Sequence, residues 1–264
     1  MLTREPRDFW QSVAQGSIDG YLPLNKFGRN PDIDIKAAGT FGRDVWDGGV
    51  ASAADWVPPT AARIHAIAGG ATDALDDVGA HTLRIFGLDS AYGFQQEDLS
   101  MHATDGTTPV NTTLAYTMIH RMYVLTSGSA GKNVADITAT AASDSTLTAQ
   151  ITASNNQTAM AIFQIPAGYT GYLNRTYASI HNSGGVEKLT DSALFLMEFG
   201  GVWRLQDSFA ASSSGSPTIF NPYQPSLEAP AKSYIKMQAS PTFDAQDVSA
   251  GFSGVMVDDL TGTY

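Results

Sequence analysis

The sequence predicts an all-β protein: an antiparallel β-sandwich of jelly-roll type, built as two packed sandwich units behind an extended N-terminal arm. Three observations predict it. Short apolar-alternating runs bounded by Gly, Pro, Asn and Asp recur from about Ala62 to Asp259. No helical 3.6-residue period is sustained after residue 20. Charged residues make up only 16% of the chain, which leaves the polar surface to Ser, Thr, Asn and Gln, residues suited to exposed strand faces. The chain divides by composition into an arm at 1–60, a first sandwich unit at 61–158 and a second at 159–264.

The elements follow in order. Asp8 is an N-cap for a short helix over Phe9–Ala14, and Gly16 and Gly20 end it. Residues 21–31 show no clear period, and aromatics set among Gly and Pro as far as Trp56 mark an ordered arm. Such an arm must lie on something, its own body or a neighbour. Thr82–Leu88 and Phe94–Met101 form a hairpin about the turn Asp89–Gly93. Thr117–Leu125 carries apolar residues on both faces, with His120 on the face of Met118 and Met122, and therefore sits inside a sandwich. Val134–Thr140 and Thr146–Thr152 follow, the latter a small-residue edge strand. Met160–Ile165 stops at Pro166, and Tyr169–Ile180 returns. Loops are expected at 182–185 and 211–216. Ala193–Phe199 and Val202–Phe209 form a second hairpin through Gly200–Gly201. Pro217, Pro222, Pro225 and Pro230 mark an irregular crossing, and Ser233–Ala239 and Phe252–Val257 complete the fold.

Composition excludes several functions. The net charge is -11 with only 15 Lys and Arg, scattered along the chain, so no nucleic-acid partner is expected. The absence of Cys removes disulfides, thiol catalysis and Cys-ligated zinc. No apolar run is long enough for a membrane span, and the charged start reads as lacking a signal peptide, so synthesis in a host cytoplasm is expected.

No reaction chemistry is legible. The five histidines, His65, His81, His102, His120 and His181, form no metal-ligand spacing, and His120 reads as structural. The carboxylate neighbours Asp76–Asp77, Glu97–Asp98 and Asp258–Asp259 sit side by side in sequence, and on a strand neighbours point to opposite faces. Asp32-Ile33-Asp34 lacks the remaining calcium-loop positions. There is no nucleophile elbow and no phosphate loop, and Lys26–Asn30 reads as a locally basic turn that contacts an acidic surface. No catalytic residue, metal or cofactor is expected, and the chain reads as a non-enzyme.

One set of motifs carries a resemblance. Ile165-Pro166-Ala167-Gly168-Tyr169-Thr170-Gly171-Tyr172-Leu173 resembles a strand–turn–strand element of tailed-bacteriophage virion proteins. The run at 195–199, the crossing that ends at Glu228-Ala229-Pro230 and the closing stretch Asp247–Asp258 are similar to the same family. Lys26–Asp32 with Val45–Gly49 is similar to the arm of structural proteins of marine tailed phages. The resemblance implies a virion structural protein of β-sandwich fold and offers no catalytic residue to carry over. The expectation is a capsid decoration or cement protein, a homotrimer on a major capsid protein or another virion protein. The alternative is a tail, fibre or head-spike protein that binds host glycan, through Tyr169, Tyr172, Tyr177 and Trp203, or an adjacent tail protein. Attachment is expected through the arm, with Phe9, Trp10, Phe27, Arg29 and Trp46 as interface residues, and removing residues 1–50 is expected to leave a folded body.

Overall fold

The computed structural model describes residues 8–35, 41–49, 55–181, 187–214 and 217–260. The expected loop at 182–185 and the last residues of the one at 211–216 lie outside the described residues. The chain opens with α1 (Phe9–Ala14), where the Asp8 carboxylate accepts the Trp10 N–H as the N-cap rule requires. Then come β1 (Tyr21–Ile33) and β2 (Arg43–Asp44). The middle of the chain supplies β3 (His65–Ala68), β4 (Ala80–Leu88), β5 (Phe94–Ser100), β6 (Val110–Asn111), β7 (Met118–Ser127), β8 (Ile137–Ala141) and β9 (Leu147–Ile151). The remainder supplies β10 (Ile162–Gln164), β11 (Tyr169–His181), β12 (Leu189–Met197), β13 (Arg204–Ser212), β14 (Thr218–Ala229), β15 (Tyr234–Pro241) and β16 (Gln246–Asp258).

Among the described residues these strands form four sheets, and every strand pair is antiparallel. The sheets β6-β3-β8-β9 and β5-β4-β7 face each other over Ile67, Leu83, Ile85, Ile119, Met122, Ile137 and Ile151. The sheets β1-β16-β11-β14 and β10-β15-β12-β13 do the same over Leu24, Leu173, Leu194, Ile235, Met237 and Phe252. Each fully buried side chain of this size contributes about 1.5–3 kcal/mol, so the two apolar layers hold two β-sandwiches. A third cluster, with Trp46, Trp56, Met118, Met160, Ile162 and Tyr234, draws on both and joins them.

The segment expected as an extended arm is in large part an edge strand of its own body. All of β1 pairs with β16, from Tyr21↔Val257 to Ile33↔Gln246. Leu24, Ile33 and Val45 belong to the core of the second sandwich. Deletion of residues 1–50 would therefore strip one sheet edge and part of its core, against the expectation of a folded remaining body. The sequence hid β1 because Pro23 and Pro31 read as breakers. An edge strand tolerates proline where the missing N–H faces away from the ladder.

The same effect hid β14. The expected irregular crossing is a 12-residue strand on the opposite edge of that sheet, paired with β11 on either side of a bulge. Pro222 and Pro225 lie in it. Both edges of the β1-β16-β11-β14 sheet thus carry prolines, which blunt strand addition by other chains.

One buried carboxylate orders the loops of the first sandwich. Asp73 is fully buried and accepts from the backbone N–H of Gly70, Ala80, Val134 and Ala135 at 2.8–3.2 Å. It ties the turn before β4 to the entry of β8.

Two expectations test this packing. Deleting residues 1–50 is expected to abolish the cooperative thermal transition of the second sandwich, read by calorimetry. Gly28 sits where β1 crosses the chain: a Cβ there would lie 2.1 Å from Val45 O and 2.3 Å from Ala161 N. Gly28→Val is expected to cost at least about 2 kcal/mol through this clash, and denaturant titration showing no loss would refute the crossing geometry.

Candidate functional site

The five residues expected to mediate attachment do not gather in one place. Phe9 and Trp10 stand on α1, both more than 40% exposed, with ring centroids 5.3 Å apart, and Phe9 also meets Tyr21 at 5.6 Å. Phe27 and Arg29 lie on the outward side of β1. Phe27 is partly covered by the Arg121 guanidinium, 5.7 Å from its centroid. Arg29 makes a two-pronged ion pair with Asp247 of β16 at 2.6 and 2.9 Å, so the basic run contacts an acidic group of its own chain. Lys26–Asn30 is accordingly mid-strand rather than a turn. Trp46 is corrected most clearly: it is 2% exposed in the cluster between the sandwiches, and its surface serves the protein's own core.

The tyrosines and tryptophan named for glycan contact are also engaged internally. Tyr169 packs on the second core, the Tyr177 hydroxyl donates to Lys26 O, and Trp203 covers the Lys236 ammonium at 4.6 Å.

Two surfaces stand out from the rest. The first is apolar and exposed. Leu189, Phe199, Val202, Leu205 and Phe220 all occur along β12, the β12–β13 hairpin and β14, with Val202 74% and Phe220 66% exposed. The hairpin tip is held in place, since Phe199 meets Tyr92 edge to face at 5.3 Å and Lys232 Nζ lies about 5 Å from both rings. Leu189 stands at the open end of the hairpin, Phe199 and Val202 at its tip, and Phe220 on an edge strand of the other sheet, so these side chains are spread along the three elements.

The second is a cleft of about 470 Å³ between the sandwiches. One wall comes from β4, β5 and β7, and the other from β1, β10 and β16. A bulge makes it. The β4–β7 ladder runs Phe86↔Arg121 and then Gly87↔Ile119, so His120 is the extra residue. Strict alternation would set His120 on the face of Met118 and Met122. The bulge instead lets Ile119 and Met122 both reach the first core, while His120 stacks on Phe163 of the other sandwich at 4.0 Å. Gln164 N–H donates to His120 Nε2 at 3.4 Å, and the buried His120 Nδ1 has no protein partner among the described residues. Lys26 projects from β1 and donates to His120 O. It is 6% exposed and 5.7 Å from the Phe163 centroid.

The electrostatics follow from burial. Desolvation, with the Arg121 charge added, pushes the Lys26 ammonium down to about 7. Burial and the Lys26 charge hold His120 well below the usual histidine range, so it is neutral. Arg84 also lines the cleft and is paired with Asp98 at 2.7 and 2.8 Å. Among the described residues no three His, Asp or Glu side chains come together as a metal-holding group. The cleft is not legible in the sequence, because its residues come from six strands and the bulge breaks the one readable period.

No protein-family model matches the sequence, and no curated protein does. Three solved structures of infectious bursal disease virus are similar at a distance. They are the VP2 subviral particle (10% identity, 95% of this chain and 78% of that one, TM-score 0.23), T=1 particles (9%, 94% and 75%, 0.23) and the Gt strain (9%, 98% and 78%, 0.18). Likeness at that level transfers neither fold nor role to this chain.

Lys26 has a measurable signature. Its folded-state pKa lies below the ordinary 10.5, so the unfolded chain binds the extra proton between about pH 7 and that value. Stability therefore rises with pH across this window, and the penalty is fully present below pH 7. The rise is expected to amount to a few kcal/mol and to vanish in Lys26→Met, as measured by urea unfolding from pH 6 to 10.

Proposed function

We propose that this protein is a non-enzymatic structural component of a virus particle, one that decorates or cements a capsid, in several copies and as a trimer. The observation that carries the reading is the set of exposed apolar side chains along β12, β13 and β14, on a body of antiparallel sheets packed in pairs. Such a surface is what an assembled protein hides against a neighbour. The motif resemblance at 165–173 and 247–258 to tailed-phage virion proteins supports the same reading, and so does the pair Phe9 and Trp10.

Attachment then rests on two places: the aromatic pair on α1 and the hairpin–β14 belt. Arg29 pairs with Asp247 and Phe27 is covered by Arg121, so both help to hold β1, and Trp46 packs in the protein's own core. Aromatic anchors of this kind typically dominate interface energies, and repetition over symmetric copies adds avidity.

The direct test is location and copy number by immunogold electron microscopy and quantitative gels of purified particles. Hundreds of copies on the head are expected, whereas a dozen or fewer at the tail would replace the capsid reading with the tail one. In vitro, Leu205→Ser with Phe220→Ser is expected to shift the assembled form toward monomer in light scattering and to leave the thermal midpoint within a few degrees. Phe9→Ala with Trp10→Ala is expected to weaken particle binding at least about tenfold, with the isolated protein still folded.

A further inference from the structure

The cleft between the sandwiches has a composition at odds with the chain around it. The protein carries a net charge of -11, yet among the described residues this cavity is lined by Lys26, Arg84 and Arg121 and by no carboxylate. Its remaining wall is aromatic. Phe86 and Phe94 stack at 5.2 Å, and Phe94 and His120 meet at 6.1 Å. Its volume of about 470 Å³ falls within the range of small-molecule sites.

We propose that the cleft binds a small amphiphilic anion, an alkyl or aryl carboxylate, whose apolar body lies against Phe86, Phe94 and Phe163 while its head group takes the charge of Lys26 and Arg121.

The argument is one of complementarity. Lys26 is buried, and among the described residues its partners are the His120 carbonyl and the Phe163 face. A buried ammonium without a counter-ion costs several kcal/mol, which an anion at this place would offset. Arg121 makes its cation–π contact with Phe27 and has no carboxylate partner among the described residues, so its charge is available. Arg84 is already matched by Asp98 and contributes less. The apolar stretch beyond the charges, with Leu22 and Met256, excludes a bare inorganic ion and favours a ligand with a hydrocarbon part. A cationic or neutral amphiphile would leave the ammonium unmatched.

Binding also couples to protons. The groups that face Lys26 across the cleft are Arg84 on β4 and His120, Arg121 and Tyr123 on β7, while β5, β10 and β16 present Gln96, Phe94, Phe163 and Met256. An anion raises the proton affinity of Lys26. Affinity for it is therefore full below about pH 7 and falls above it.

The test is isothermal titration of the full chain with octanoate and, separately, with octyltrimethylammonium. Octanoate is expected to bind once per chain and to bind roughly tenfold more weakly at pH 9 than at pH 6. Lys26→Met and Arg121→Gln are each expected to weaken it about tenfold, with circular dichroism unchanged. The ammonium amphiphile is expected to give no heat. Absence of octanoate binding to the folded protein overturns the proposal, as does equal binding of both amphiphiles or an unchanged affinity in both variants. Should Lys26→Met fail to fold, Arg121→Gln decides alone, because that side chain is only partly buried and its removal leaves the core intact.

Discussion

The structure turns on a buried ion pair. Lys236 Nζ of β15 lies 2.8 Å from Asp44 Oδ1 of β2, with side chains 5% and 0% exposed. Asp44 also accepts from Gln238 Nε2 and from the backbone N–H of Trp56, and the Trp203 ring covers the ammonium. Burial pushes the Asp44 carboxyl up, and Lys236 pulls it back. Removing one member of such a pair typically costs about 3–5 kcal/mol, since a lone buried charge remains. Its structural consequence is to pin residues 43–49 and Trp56 between the sandwiches. That brings Trp46 and Trp56 to the joining cluster.

Much of the body was legible because its hairpins obey local rules. The β4–β5 pair and its Asp89 turn, and the β12–β13 pair across Gly200, show the alternation and turn chemistry that predict them. What was not legible has two physical causes. Prolines at 23, 31, 222 and 225 break the apparent strand pattern yet are permitted on an edge, so β1 and β14 were taken for an arm and a crossing. The second cause is non-local. The partners Asp44 and Lys236 are far apart in the sequence, and an isolated Lys in an apolar strand does not announce its counter-ion. The bulge at His120 belongs to the same class, since a period-2 reading cannot register one extra residue.

The cleft is the other side of this architecture. Two sandwiches joined by one apolar cluster meet imperfectly elsewhere, and the gap that remains is bordered by whatever side chains the strands present. Here those include Lys26, on the same face of β1 as Leu24, Gly28 and Asn30, where an apolar residue would pack at lower cost. A buried lysine with a lowered pKa and no acidic partner is an expensive placement. Structural explanations do not require it, since a Met or Leu would fill the same volume, and functional sites are where such costs are commonly tolerated.

The placement of the cations also bears on how copies of this chain approach one another. Lys26 and Lys236 are buried, and Arg29, Arg63, Arg84 and Arg204 are each matched by a carboxylate. The chain as a whole sets 15 Lys and Arg against 26 Asp and Glu, a net charge of -11. The long-range field is therefore repulsive between identical copies and fades over about 10 Å at 0.1 M salt. Association of such copies must come from short-range burial of apolar surface, after screening has brought them close. The exposed side chains of β12–β14 and the aromatic pair on α1 can supply that burial, and the acidic remainder limits contact to those places. An acidic coat with a few apolar docking points favours ordered attachment over indiscriminate aggregation.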